Sequence, residues 1–180
     1  MLCHAVEGYW SINHQPICDS LAYHVAELVF EYLPRAYKNG NDKEAREKMA
    51  EASVIAGLSF TLPKTSAPHA CSFPLTSIYG IPHGEACALT LDHFIKINKE
   101  DIRTRKFAEK LGFSDTDELA EKVYELKRET GLRTGLKDFH LSDDDIKDLV
   151  EKSHHPNMKN NPIEITDKIL FELYNELKER

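Results

Sequence analysis

Histidine is the residue type in this sequence with the clearest chemical potential, since nine histidines occur among 180 residues. His83 stands out because it lies between Pro82 and Gly84 at the predicted start of an apolar helix. The positive end of a helix dipole disfavours an imidazolium there and keeps the ring neutral, which is the form that binds divalent metals. His69 lies 14 residues earlier in a proline-containing segment, and His4 begins an apolar turn with no evident need for a histidine.

Spacing alone leaves two readings of these three histidines open. The rings of His69 and His83 can meet only if the proline-rich segment between them bends, and unrelated core histidines explain the same positions. The other six histidines carry no individual signal, because most lone histidines are solvated or satisfied core groups. They are His14, His24, His93, His140, His154 and His155.

Two further side chains near these histidines are candidate partners of a metal site. Glu7 lies three residues after His4 on the same helical face and is predicted to orient the imidazole of His4, although a solvated carboxylate explains it equally well. Cys87 lies one helical turn past His83, so thiolate ligation is an alternative that competes with a small buried thiol.

The elements that position these residues are predicted to be helices, because no window alternates apolar and polar residues as a strand requires. The segment from 61 to 84 holds several prolines and glycines and is predicted to be irregular or broken helix. Capping residues, glycines and apolar periodicity predict where each helix begins and ends. They run from Asp19 to before Pro34, Asn41 or Asp42 to about Gly57, Gly84 to Asn98, Asp101 to Gly112, Ser114 (with Asp117 as its capping-box partner) to Gly131, Ser142 (with Asp145) to Ser153, and Thr166 to Arg180. The predicted fold class is all-α.

Composition narrows the class of partner. Thirty acidic against 23 basic residues give a formal charge of -7, which argues against nucleic acid or anionic lipid, because both attract a basic surface. No window approaches the ~20 apolar residues of a membrane span. Four cysteines are too few for a disulfide framework at this length. We expect one cytoplasmic domain over residues 1–180, with reduced thiols and a small ligand.

The segments HAVEGYWS and SAPHACSFPLTSIYGIPHGEACALTLD together resemble the C-terminal, metal-binding half of the iron-containing (group III) alcohol dehydrogenases. The resemblance covers residues 1 to about 95 and extends to glycerol dehydrogenase and dehydroquinate synthase. It implies a helical bundle of the dehydroquinate synthase-like fold with one divalent metal, Fe²⁺ or Zn²⁺, held by one Asp and three His. Carried onto this sequence, it implies His4, His69 and His83 as metal ligands.

Three positions depart from that family's pattern. The family's aspartate precedes its first histidine by four residues, a position that falls just before Met1, so we expect the chain to start at an internal methionine of a longer protein. Phe73 stands where many members have a second histidine, so a proton-relay role does not transfer. Ile163 follows Asn161 and Pro162 where many members have arginine.

The resemblance implies hydride transfer between NAD(P) and a small alcohol or aldehyde, with a metal polarising the oxygen. The sequence has no G-x-G-x-x-G turn and no strand to carry one. We therefore assign no catalytic or NAD(P)-binding residue to this sequence. We expect NAD(P) to bind only in a complete enzyme, so that the chain alone is inactive. We also expect the chain to self-associate or to pair with a separate nucleotide-binding domain. The alternatives are a stand-alone helical metal- or partner-binding module and a plain helical domain with structural histidines.

Overall fold

The computed structural model describes all 180 residues, Met1–Arg180, and contains helices and no strand. The predicted all-α class is therefore confirmed. The helices are α1 (Leu2–Trp10), α2 (Pro16–Lys38), α3 (Lys43–Phe60), α4 (Ala67–Tyr79), α5 (His83–Ile97), α6 (Ile102–Lys110), α7 (Thr116–Glu129), α8 (Asp143–Lys152) and α9 (Asp167–Glu179). Short 3-10 turns cover Lys137–Phe139 and Pro156–Asn160.

Side-chain caps fix the start of several helices, as the sequence predicts. Asp42, Asp101 and Thr166 each accept a hydrogen bond from a backbone N–H of the first turn of α3, α6 and α9. Ser142 and Asp145 form the predicted reciprocal capping box at α8. Each satisfies a donor that the helix itself leaves unpaired.

The predicted cap of α7 is wrong by one residue. Asp115 is the N-cap and accepts from the backbone N–H of Glu118 at 2.8 Å. The Glu118 carboxylate in turn accepts from the N–H and hydroxyl of Ser114. Glu118, and not the predicted Asp117, is therefore the acidic partner: its carboxylate accepts from Ser114, and its own backbone N–H donates to Asp115.

Two prolines lie inside helices, where the sequence predicts an end or a break. α2 continues through Pro34 to Lys38, and α4 contains Pro74. An internal proline removes one backbone hydrogen bond, so packing must hold the helix beyond it. In α2 the Tyr37 hydroxyl fits against Gly131, where a Cβ would lie only 2.9 Å from it.

Helices α1, α4 and α5 form the interior that carries the histidines. α2 packs against α3, α4 against α5, α5 against α7, and α8 against α9, with α1 against α2 and α3. Seven of the nine residues of α1 are buried, and α5 is buried along most of its length, as its apolar sequence predicts. No helix has both the length and the apolar character needed to cross a membrane.

Candidate metal centre

The structure brings His4, His69 and His83 together from three different helices. His4 lies in the first turn of α1, His69 in the first turn of α4, and His83 is the first residue of α5. The ring centroids of His4 and His69 are 4.8 Å apart, and those of His69 and His83 are 5.3 Å apart. The proline-rich segment therefore bends as the convergence of these rings requires, with α4 and α5 joined by a tight turn at Gly80.

Glu7 ties α1 to the start of α4 and orients His69. Its carboxylate accepts from the backbone N–H of Ser66 at 2.7 Å and lies 2.5 Å from Nδ1 of His69. Its side chain is fully buried. A carboxylate only accepts, so Nδ1 of His69 carries the proton and Nε2 presents its lone pair. The spacing in the sequence predicts Glu7 as the partner of His4, whereas Glu7 bonds Ser66 and His69, because its side chain points toward α4.

Ser72 has a related role for His83 that was not predicted from the sequence. The Ser72 hydroxyl donates to the backbone carbonyl of His69 at 2.7 Å and lies 3.3 Å from Nδ1 of His83. Because its single hydrogen is committed to the carbonyl, the hydroxyl accepts from Nδ1 of His83. The hydrogen-bond network thus leaves Nε2 of His83 unprotonated as well. The signal in the sequence was a serine three residues after His69, on the same side of α4.

Cys87 and His4 differ in how closely they approach the other donors. The donor atoms of His69, His83 and Cys87 all lie within 4.8 Å of one another. Cys87 Sγ is 3.8 Å from Nε2 of His83. The ring of His4 instead stacks between His69 and Phe60, with its centroid 4.0 Å from that of Phe60, and its nitrogens lie outside the 4.8 Å group.

Electrostatics keep two of these imidazoles neutral at pH 7. Burial, reinforced by the nearby His69, lowers the pKa of His4 to about 3. Burial is also the main cause that lowers the pKa of His83, again with His69 contributing. Burial raises the pKa of the Cys87 thiol, so without a cation it is protonated. The lowered pKa values therefore keep His4 and His83 neutral, and the hydrogen bonds at Nδ1 leave Nε2 of His69 and of His83 unprotonated. Imidazoles in this state fit a borderline divalent cation such as Fe²⁺ or Zn²⁺.

Aromatic rings border the cluster, and one side is open. Phe60 covers His4, while Phe73 lies nearly parallel to His83 with centroids 6.2 Å apart. His83 itself is exposed to solvent, so a small molecule can approach it. The histidine that many members of the family place at position 73 is absent, and the imidazole nearest to Phe73 from the C-terminal half is His155, 4.5 Å away.

Comparison with known proteins identifies the family of this chain. The model of the Fe-containing alcohol dehydrogenase family, C-terminal region, matches residues 1–177. Alcohol dehydrogenase 4 of Schizosaccharomyces pombe is 36% identical over 156 residues, which cover 83% of this chain and 37% of that protein. The NADPH-dependent butanol dehydrogenase of Clostridium saccharobutylicum is 31% identical over 158 residues, or 83% of this chain and 40% of that protein.

A solved structure shows the same likeness in three dimensions. The sulfoacetaldehyde reductase of Bifidobacterium kashiwanohense, solved in complex with NAD⁺, is 57% identical and superposes with a TM-score of 0.96 over 98% of this chain and 48% of that one. The chain thus spans about half the length of these relatives or less. Its helices correspond to their C-terminal region, and the chain belongs to the Fe-containing alcohol dehydrogenase family.

Proposed function

We propose that this chain is the metal-binding half of an NAD(P)-linked reductase of short aldehydes, with His4, His69 and His83 as ligands of one Fe²⁺ or Zn²⁺ ion. The observation that carries the proposal is the convergence of three imidazoles from α1, α4 and α5, two of them held with Nε2 unprotonated. Structural histidines have no need for such matched orientation.

The residues around the cluster have separable tasks in this proposal. A divalent cation, when bound, supplies polarisation of the substrate oxygen. Glu7 and Ser72 fix the tautomers of His69 and His83, so that neither ring must reorganise before binding a cation. Phe60 covers one face of His4 and shields it from water, which strengthens any charge interaction formed there. Phe73 lies beside His83 on the open side of the cluster.

For the substrate, we propose a two-carbon aldehyde that bears a sulfonate. The support is the 57% identity to the sulfoacetaldehyde reductase of B. kashiwanohense, which is well above the 31% to 36% identity to alcohol and butanol dehydrogenases. The position of Phe73, which takes the place of a histidine found in many members of the family, also favours a substrate pocket unlike that of a general alcohol dehydrogenase.

Hydride transfer requires a nicotinamide, and we propose that a nucleotide-binding domain outside these 180 residues supplies its site. NAD⁺ is bound by the Bifidobacterium relative and NADPH is used by the Clostridium relative, so we propose NAD(P) without distinguishing the two nucleotides.

Apolar side chains are exposed on α2, on α3 and on the loop that follows α3. They support contact with a covering partner or self-association, and light scattering measures the latter. They include Ile17, Val54, Leu58 and Leu62. Four free, buried thiols support a reducing, cytoplasmic location.

Metal analysis tests the site itself. The chain is purified with Fe²⁺ or Zn²⁺ and compared with a His69→Ala, His83→Ala double variant and with a His24→Ala control, since His24 is exposed on α2. We expect about one ion per chain in the wild type and the control, and none in the double variant. Equal metal content in all three proteins would mean that His69 and His83 do not bind the metal and have only a structural role.

Activity requires the second domain. We expect the chain alone to show no NAD(P)-dependent turnover. A hybrid that joins it to the nucleotide-binding half of the B. kashiwanohense relative is expected to reduce sulfoacetaldehyde with NADH in a metal-dependent manner. A metal-loaded hybrid that binds NADH and reduces no aldehyde would favour the alternative of a metal- or partner-binding module.

A further inference from the structure

His155 lies beside the proposed metal centre but takes no part in it. It precedes the 3-10 turn Pro156–Asn160, and its ring packs on Phe73 with a centroid distance of 4.5 Å. Phe73 in turn is 6.2 Å from His83. These two distances place the rings of His155 and His83 no more than about 11 Å apart, with a single aromatic side chain between them.

The hydrogen bonding of His155 leaves one donor free. The backbone N–H of Asn157 donates to Nδ1 of His155 at 3.2 Å. A ring nitrogen that accepts carries no proton, so the neutral ring has its hydrogen on Nε2. Nε2 has no protein partner, and the residue is only partly buried. An N–H donor held in a fixed tautomer and directed at no protein group is available to a ligand.

Unpaired positive charge accompanies this donor. Asn157 and Asn160 both hydrogen-bond to Thr65, at 2.8 Å and 2.9 Å, which ties the 3-10 turn to the loop before α4. Each of these two segments carries an exposed lysine, Lys64 and Lys159. Neither Lys64 nor Lys159 forms a salt bridge, whereas the lysines of α8 and α9 do. On a chain of net charge -7, two unpaired lysines on adjoining segments create a local attraction for anions.

There is space for a ligand next to His155. A cavity of about 630 Å³ is lined by Ile12 and by residues between His154 and Ile165, among them His155, the cationic Lys159 and the acidic Glu164; Lys64 and the histidine cluster lie outside this lining. A two-carbon sulfonate with one contact at the histidine cluster and one at His155 can bridge about 11 Å, because each polar contact adds about 2 to 3 Å to the length of the molecule.

We propose that His155 donates its Nε2–H to the sulfonate of the substrate, with Lys64 and Lys159 supplying the favourable charge. His155 is thus a specificity residue that selects anionic over neutral aldehydes. This inference rests on the proposed function, because it takes the reactive end of the substrate to lie at the histidine cluster.

Nuclear magnetic resonance tests the contact on the chain as it exists. The zinc-loaded protein is titrated with 2-hydroxyethanesulfonate, the alcohol that reduction of sulfoacetaldehyde forms, and with 1-propanol as the neutral probe. We expect the sulfonate to shift the ring-nitrogen signals of His155 in a saturable manner while those of His24 stay in place, and 1-propanol to leave His155 unchanged. A sulfonate that leaves the His155 signals unmoved, or equal shifts with both probes, would overturn the inference.

Kinetics of the hybrid enzyme give a second readout. His155→Phe keeps the ring packing on Phe73 and removes the donor, whereas His155→Gln places an amide N–H near the position of Nε2. We expect His155→Phe to raise KM for sulfoacetaldehyde about 10- to 100-fold, as for loss of a hydrogen bond to a charged group, with less than about a twofold change for propanal. His155→Gln restores most of the loss, and His24→Gln behaves as wild type.

The outcomes separate this inference from the function on which it rests. A wild-type hybrid that reduces propanal and leaves sulfoacetaldehyde untouched contradicts the proposed substrate. A hybrid that reduces sulfoacetaldehyde, and in which His155→Phe changes KM equally for both aldehydes or for neither, contradicts only the role of His155.

Discussion

Substituting Glu7 by glutamine tests how much of the candidate site depends on one carboxylate. Glu7 is fully buried and accepts from Ser66 and from Nδ1 of His69. Glutamine keeps one acceptor oxygen, which can serve the backbone N–H of Ser66. Its amide nitrogen then faces Nδ1 of His69 as a donor. The proton of the ring must move to Nε2, the atom proposed to bind the cation.

The expected loss follows from the contacts. A partner that orients a metal-binding histidine contributes about 10- to 100-fold to metal affinity, or about 1.4 to 2.7 kcal/mol. The metal-free protein also loses hydrogen bonds to a charged acceptor. We therefore expect its free energy of unfolding to fall by about 1 to 3 kcal/mol for Glu7→Gln.

Zinc affinity is measured by competition with a chelating indicator, and stability by urea unfolding with the metal removed. Glu47→Gln is the matched control, because Glu47 is exposed on α3 and forms no salt bridge. If Glu7→Gln binds zinc within twofold of the wild type, the carboxylate does not set the tautomer of His69. If the loss of zinc affinity is no larger than the loss in free energy of unfolding explains, Glu7 stabilises the fold and does not orient the metal ligand.

Three further predictions concern stability and pH. Lys127→Met removes the cation that lies 2.6 Å from the buried carboxylate of Asp92 and leaves only Arg180, at 4.0 Å. Urea unfolding is expected to show a loss of about 3 to 5 kcal/mol, which the Asp92→Leu, Lys127→Met double variant largely recovers. The pKa of His4 is about 3 in the folded protein, mainly through burial, and about 6.5 in an unfolded chain, so between these values only the unfolded state binds this proton. The metal-free protein should therefore lose stability as pH falls through that window, and His4→Gln should show a shallower dependence in urea midpoints from pH 7 to 4; equal slopes would contradict it. Ser142→Ala is expected to cost about 1 kcal/mol in the same assay through loss of the cap of α8; an unchanged midpoint would mean that the cap is replaced by water.

Local features of the fold were predictable from the sequence, because their cause lies within a few residues. The capping box of Ser142 and Asp145 and the caps at Asp101 and Thr166 satisfy donors one turn away, and the structure has them as predicted. The paths through Pro34 and Pro74 were not predictable. There, contacts from distant segments hold the helix past a residue that by itself favours an end.

The candidate site divides in the same way. A family resemblance singled out the three histidines, and their rings do lie together. The partner of Glu7 was mistaken, because the residue it contacts lies 62 positions away and depends on how α1 crosses α4. The contact between Phe73 and His155, which are 82 positions apart in the chain, is likewise set by tertiary packing, and no spacing in the sequence predicts it.

The burial of α1 has a consequence for how the cation would leave. A helix of nine residues has little stability in isolation, so α1 stays ordered only while the surrounding helices enclose it. Any opening of this segment would carry away an imidazole together with the carboxylate that aligns a second. Amide hydrogen exchange along Leu2–Trp10 would then slow on loading with zinc, and the rate of ion release would follow the rate at which this segment opens.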